Sequence, residues 1–228
     1  MTPATKSFDV LAAYRQVRER VANAEAAAGR PLGSVTIVGA AKAQPVERVR
    51  ALIDAGLTDI GENYWQDTPD HLAADASRRA QWHFIGPIQS NKTAQIAEQF
   101  DWVQSLDRDK IARRLDEQRP EGSTPLNVLI QVNISAQNSK AGVAPDEIES
   151  LADLVMARSR LQLRGLMAIP APGDHGAHAR LNKIFRTLQA RLPDFATLSI
   201  GMSADLELAI DAGATMVRIG TALFGPRL

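Results

Sequence analysis

The run "VTIVGAA" (35–41) is short, apolar and β-branched, and it ends directly in Lys42. An ammonium group in an apolar mouth loses hydration, which favours the free amine, the form that attacks a carbonyl to make a Schiff base. Two later stretches offer a different chemistry. "SIGMSAD" (199–205) sets Gly201 and Ser203 between an apolar run and a helical one, and "RIGTALFG" (218–225) does the same with Gly220 and Thr221. Backbone N–H groups at helix starts, with glycines permitting close approach, make a site for an anion such as a phosphate. Arg218 stands immediately ahead of the second loop.

These residues need elements to bring them together. Apolar runs recur at 35–41, 58–63, 82–86, 102–106, 127–134, 163–169, 197–201 and 216–220, and each is followed by a helix or the start of one. Pro45 opens the helix after the first run and Gly56 closes it. Eight such units predict an α/β fold of parallel strands with helical crossovers, a single (β/α)8 TIM barrel over residues 1–228. An open doubly wound sheet is the other arrangement with this pattern. A leading N-terminal helix over 8–28 precedes it, with Val10, Tyr14, Val17, Val21, Ala24 and Ala28 at helical spacing.

In a barrel the strand ends build the mouth, and the loops after the last two strands commonly hold a phosphate. Closure sets the eighth strand beside the first, so Arg218 and Lys42 share that mouth. A lysine amine facing a phosphate grip suits a phosphorylated carbonyl compound, either a sugar phosphate, as in a Schiff-base aldolase, or pyridoxal phosphate (PLP). An arginine facing a pyridine nitrogen can only donate, so that nitrogen would stay unprotonated and the ring would be a weak electron sink.

The bulk composition excludes several classes. Lys plus Arg and Asp plus Glu each total 26, so no charge excess recruits nucleic acid or an anionic membrane. The absence of cysteine removes disulfides, thiolate catalysis and sulfur-ligated metals. No apolar stretch reaches bilayer length and "MTPATKSFDV" has no signal core, so a cytoplasmic protein is expected. His175 and His178 lack a third metal ligand at a telling spacing and read as a solvated loop. Lys140, after the fifth strand, either reaches the mouth or covers its rim.

"WHFIGPIQSNKT", "IQVNISAQNSKAG", "LRGLMAIPAP" and "SIGMSADLELAIDAGATMVRIGTALFG" together resemble the pyridoxal phosphate homeostasis protein family, also called YggS-like or proline synthetase co-transcribed. The resemblance implies a barrel similar to the alanine racemase N-terminal domain (fold type III), with PLP held as an internal aldimine on Lys42. By the same resemblance Ser203, Gly220 and Thr221 match the phosphate loops, Arg218 the arginine at the pyridine nitrogen, and Asn63 and His83 other cofactor-pocket positions. Ala41 and Ala43 flank Lys42 where the family usually has serine and threonine, and Ile200 replaces a common methionine.

The resemblance also implies a carrier that buffers PLP or delivers it to PLP-dependent apoenzymes, affecting amino-acid and keto-acid balance, with no robust catalysis. The alternative is an amino-acid racemase or lyase. A two-base racemase needs a second acid/base group across the cofactor, supplied in the racemases by an added β-domain and a partner subunit. The chain ends at Leu228 and its tyrosines are Tyr14 and Tyr64, so no such domain is expected, and a monomer is.

Overall fold

The computed structural model describes residues 8–137, 141–192 and 194–226. Eight parallel strands, β1 (Thr36–Ala40), β2 (Asp59–Glu62), β3 (Gln81–Phe84), β4 (Trp102–Leu106), β5 (Leu126–Val132), β6 (Leu161–Ala168), β7 (Thr197–Ser199) and β8 (Met216–Ile219), close in chain order. Val38 pairs with Arg218 where β8 returns to β1. The expected (β/α)8 barrel is therefore observed, and the open sheet is not. β3, β5 and β6 begin one or two residues before the apolar runs that announced them.

The crossovers are α2 (Val46–Asp54), α3 (Thr68–Ala74), α4 (Thr93–Gln99), α5 (Asp109–Gln118), α6 (Ile148–Met156) and α7 (Ala177–Gln189); the short α8 (Leu206–Asp211) and α9 (Thr221–Phe224) follow β7 and β8. Val49, Leu52, Ile96, Ile111, Leu115 and Leu181 turn inward from these helices and are fully buried. Each such side chain contributes about 1.5–3 kcal/mol by leaving water. No helix among the described residues is long and apolar enough to cross a membrane.

The leading helix, labelled α1 here (Val10–Ala27), is started by Asp9, whose carboxylate accepts from the N–H groups of Leu11 and Ala12 at 3.0 and 2.9 Å. Its buried face includes Val10, Tyr14, Val17, Val21 and Ala24 and packs against α2, α8 and α9. Glu25, also buried, accepts from the N–H groups of Gly33 (2.9 Å) and Val35 (2.7 Å) and so pins the entry to β1. Thus α1 braces the side of the barrel where β1, β7 and β8 deliver the candidate residues.

The barrel interior departs from an all-aliphatic filling. His83 on β3, Gln104 on β4, Ser199 on β7 and Arg218 on β8 are buried there, with none above 5% exposure.

Candidate functional site

β1 ends at Ala40, and a turn then closes with Gln44 N–H donating to Ala41 O at 3.0 Å while Ala43 sits at φ 53°. That left-handed geometry costs an L-residue roughly 1–2 kcal/mol, so the turn is maintained by its surroundings. Lys42 lies within it, half-buried, with Nζ 3.3 Å from Tyr64 Oη and 4.7 Å from the centre of the Tyr64 ring. The far side of the turn is gripped by His71, whose Nε2 donates to Gln44 O at 2.9 Å and whose Nδ1 meets Glu62 Oε1 at 2.5 Å.

Burial pushes the Glu62 carboxyl above its ordinary range, against the pull of the His71 bond. Burial also disfavours the His71 cation, but the Glu62 bond and charge outweigh it, and His71 sits above its usual value. A folded-state pKa raised above the unfolded value gives stability that is complete below about 6.5 and is lost as pH rises through the folded value. Urea unfolding from pH 6 to 9 should therefore show wild type losing stability relative to a Glu62→Gln/His71→Gln double variant as pH rises. A pH-independent difference would refute the assignment.

Arg218 is the second wall. It is fully enclosed, donating from Nη1 to Ser199 Oγ at 2.6 Å and from Nη2 to Ala168 O at 2.9 Å. Burial lowers it to about 10, opposed by the nearby Asp205 carboxylate, so it remains a cation at neutral pH. Among the described residues no carboxylate forms an ion pair with it. A buried cation without a direct counter-charge favours a ligand that accepts hydrogen bonds.

The third wall is the pair of loops after β7 and β8. Gly201 turns the chain at φ +103°, with its carbonyl accepting from Arg218 N–H at 3.0 Å. Met202 N–H donates to Asp205 Oδ1 at 2.7 Å, while Asp205 Oδ2 meets His178 Nε2 at 2.9 Å. From outside, Arg20 on α1 bonds Ser203 O (3.1 Å) and pairs with Glu207 (2.8 Å). Residues 202–205 thus form a braced turn, and α8 starts at Leu206 rather than at Ser203.

These walls enclose a cavity of about 360 Å³ lined by Lys42, Gln44, Asn63, Ser203, Ala204, Arg218, Gly220 and Thr221, with Ala40, Ile85, Ile169 and Met202 supplying apolar surface. That is within the range of small-molecule sites, about 300–1,000 Å³. Asn63 reaches it because the loops after β2 and β3 close tightly, and a Cβ on Gly86 would collide with the Asn63 carbonyl oxygen.

Six of the seven residues expected from the sequence therefore line one cavity. His83 takes a different place. It is fully buried within the barrel, with Nε2 2.9 Å from Asp59 Oδ1, Nδ1 3.0 Å from Gln104 Nε2, and its ring stacked on Trp102. His178, expected in a solvated loop, is instead buried behind the loop at 202–205, whereas His175 is exposed. Lys140 lies outside the described residues. Reading the sequence alone missed the roles of Gln44, His71 and Arg20, whose contacts span distant parts of the chain and leave no local pattern.

Residues 14–227 match the family model described as alanine racemase, N-terminal domain. A "Pyridoxal phosphate homeostasis protein" of Pseudomonas aeruginosa is 51% identical over 217 residues, 93% of each chain. The chain belongs to the pyridoxal phosphate homeostasis protein family. Within the family, the solved structure of PipY from Synechococcus elongatus with PLP bound superposes with a TM-score of 0.79 at 28% identity, covering 95% of this chain and all of that one. Alanine racemase of Corynebacterium glutamicum shares the fold (TM-score 0.68, 15% identity), with 95% of this chain matching 62% of the enzyme.

Proposed function

We propose that this protein holds PLP covalently through Lys42 and serves PLP homeostasis as a carrier that stores and releases the cofactor. The observation that carries the reading is the convergence of a lysine amine, a buried unpaired arginine and two glycine-containing loops on one cavity. The donor set fits PLP. Lys42 Nζ would take the aldehyde, Arg218 would donate toward the pyridine nitrogen, Ser203, Gly220 and Thr221 would hold the phosphate, and Asn63 would complete the pocket. When bound, the cofactor supplies an electrophilic carbon that condenses reversibly with primary amines.

This chain's residues then act in defined ways. Tyr64 Oη accepts from Lys42 Nζ and is placed to hold or return a proton at that atom, with its ring against the amine. Gln44 and His71 fix the turn, so the lysine approaches from a constant direction. Arg218 can only donate, so a pyridine nitrogen held by it would stay unprotonated and carbanion chemistry would be weakly supported. Lys42 and Arg218 are the titratable side chains among the residues that line the cavity. Tyr64 and Met202, each 43% exposed, leave the mouth accessible to an incoming amine. We take it to act as a monomer. We place its work in the cytoplasm, with PLP-dependent apoenzymes as recipients.

The test is to load the protein with PLP, desalt it, and mix it with the apo form of a PLP-dependent enzyme. The recipient should regain activity, while amino-acid racemisation by the loaded carrier, followed by chiral chromatography, stays at the uncatalysed level. A rate in the ordinary enzymatic range, about 1–10³ per second, that disappears in Lys42→Ala would establish an enzyme instead.

A further inference from the structure

We propose that Gln104 and His83 are positioning residues for Arg218, acting through Ser199 in one hydrogen-bond chain of fixed polarity that runs through the barrel interior to Asp59. A guanidinium has five N–H donors and no acceptor. Arg218 Nη1, 2.6 Å from Ser199 Oγ, therefore compels that oxygen to accept, and the Ser199 hydroxyl proton goes to Gln104 Oε1 at 2.7 Å. The amide is thereby oriented. Its Nε2 faces His83 Nδ1 at 3.0 Å and Met216 Sδ at 3.2 Å. An amide nitrogen donates, so Nδ1 carries the lone pair and the His83 proton resides on Nε2, which donates to Asp59 Oδ1 at 2.9 Å. Thr58 Oγ1 completes the chain by donating to Asp59 Oδ2 at 2.6 Å.

One proton arrangement satisfies every link. Reversing the amide would set its N–H groups toward Ser199 and its oxygen against the unprotonated Nδ1, an acceptor facing an acceptor in a fully buried place. Barrel interiors are ordinarily filled by branched aliphatic side chains, which would pack this volume without the desolvation cost of polar groups. What aliphatic packing cannot do is fix a guanidinium. The chain commits Nη1 toward the barrel interior, the Ala168 carbonyl commits Nη2, and the side chain also lines the cavity. His83 is held in turn by stacking on Trp102, with ring centres 5.3 Å apart and planes 12° from parallel.

The first test needs no cofactor. Long-range ¹H–¹⁵N correlation spectra of histidine-labelled, PLP-free protein at neutral pH should show His83 as the neutral Nε2–H tautomer. Gln104→Leu cuts the chain: His83 should lose its fixed tautomer, PLP should dissociate with a Kd raised roughly tenfold, and the absorption maximum of bound PLP should move. Gln104→Glu retains the acceptor for Ser199, so affinity and absorption should recover, while His83 gains a proton on Nδ1. Should Gln104→Leu fail to fold, Ser199→Ala breaks the same chain next to Arg218 with little change in volume.

An Nδ1–H tautomer in wild type overturns the proposal, as does wild-type affinity and absorption in the cut variants. The absorption arm rests on PLP being the ligand. Wild type that takes up no PLP defeats that reading, and the tautomer still decides the relay.

Discussion

Lys42→Ala is expected to abolish retention of PLP through desalting while leaving the fold intact. Lys42 is half-buried and its contact with Tyr64 is an exposed one, so its removal costs the fold only about 0–1 kcal/mol. The thermal midpoint should move by a few degrees at most. Arg218 and the loops after β7 and β8 persist in the variant and should still bind PLP reversibly, so equilibrium dialysis should detect uptake that a desalting column strips away. In wild type the visible band should survive the column, and borohydride reduction with peptide mapping should place the adduct on Lys42.

The same experiment settles the meaning of the alanines beside Lys42. Ala41 is fully buried and Ala43 is exposed in a left-handed turn. Neither offers a hydroxyl, so the hydrogen bond at the Lys42 amine is the one made with Tyr64. A band that is unchanged in Lys42→Ala would mean attachment through another lysine and would end the present reading.

The barrel was legible because parallel strands covered on both faces read as continuous apolar runs, each followed by a helix or the start of one. Lys42, Arg218 and the glycines at 201 and 220 were legible for a related reason: strand ends in a barrel are where chemistry collects. The supports were not. His71 reaches the carbonyl of Gln44, Arg20 reaches that of Ser203, and His178 reaches Asp205, and none of these pairs follows from local spacing. α8 begins only at Leu206 because the Asp205 carboxylate takes the Met202 N–H and draws the preceding residues into a turn.

His83 illustrates the limit of matching a motif without tracing which way its side chain lies. Its strand delivers the imidazole to Gln104 and Asp59, inside the barrel and away from the cavity lining. The informative pattern was spread over four strands: "WHFIG", "WVQSL", "TLSIG" and "MVRIG" each carry polar side chains within an apolar run, and His83, Gln104, Ser199 and Arg218 each bond the next in that order.

The loop after β7 makes the second large expectation. Gly201→Val is predicted to lower stability by roughly 2–5 kcal/mol and to erase the preference for a phosphorylated ligand. A Cβ at this position would lie 2.5 Å from Ala209 Cβ, and φ +103° is closed to β-branched residues, so strain and overpacking add. Relief requires the loop to withdraw from α8, carrying Ser203 and Ala204 out of the cavity wall and breaking the Gly201 carbonyl contact with Arg218 N–H.

Hydrogen bonds to a charged group are worth about 1.5–3 kcal/mol each, so wild type should bind PLP at least about tenfold more tightly than pyridoxal. In the variant the two ligands should bind alike. Instability alone is separated from loss of the grip by Leu206→Ala, which opens a cavity at a buried site in α8 at a comparable cost of about 2–5 kcal/mol. That variant, measured well below its unfolding midpoint, should keep the preference for PLP. If Gly201→Val kept it too, the phosphate would have to be held without the β7 loop, and Gly220 and Thr221 would be left as its grip.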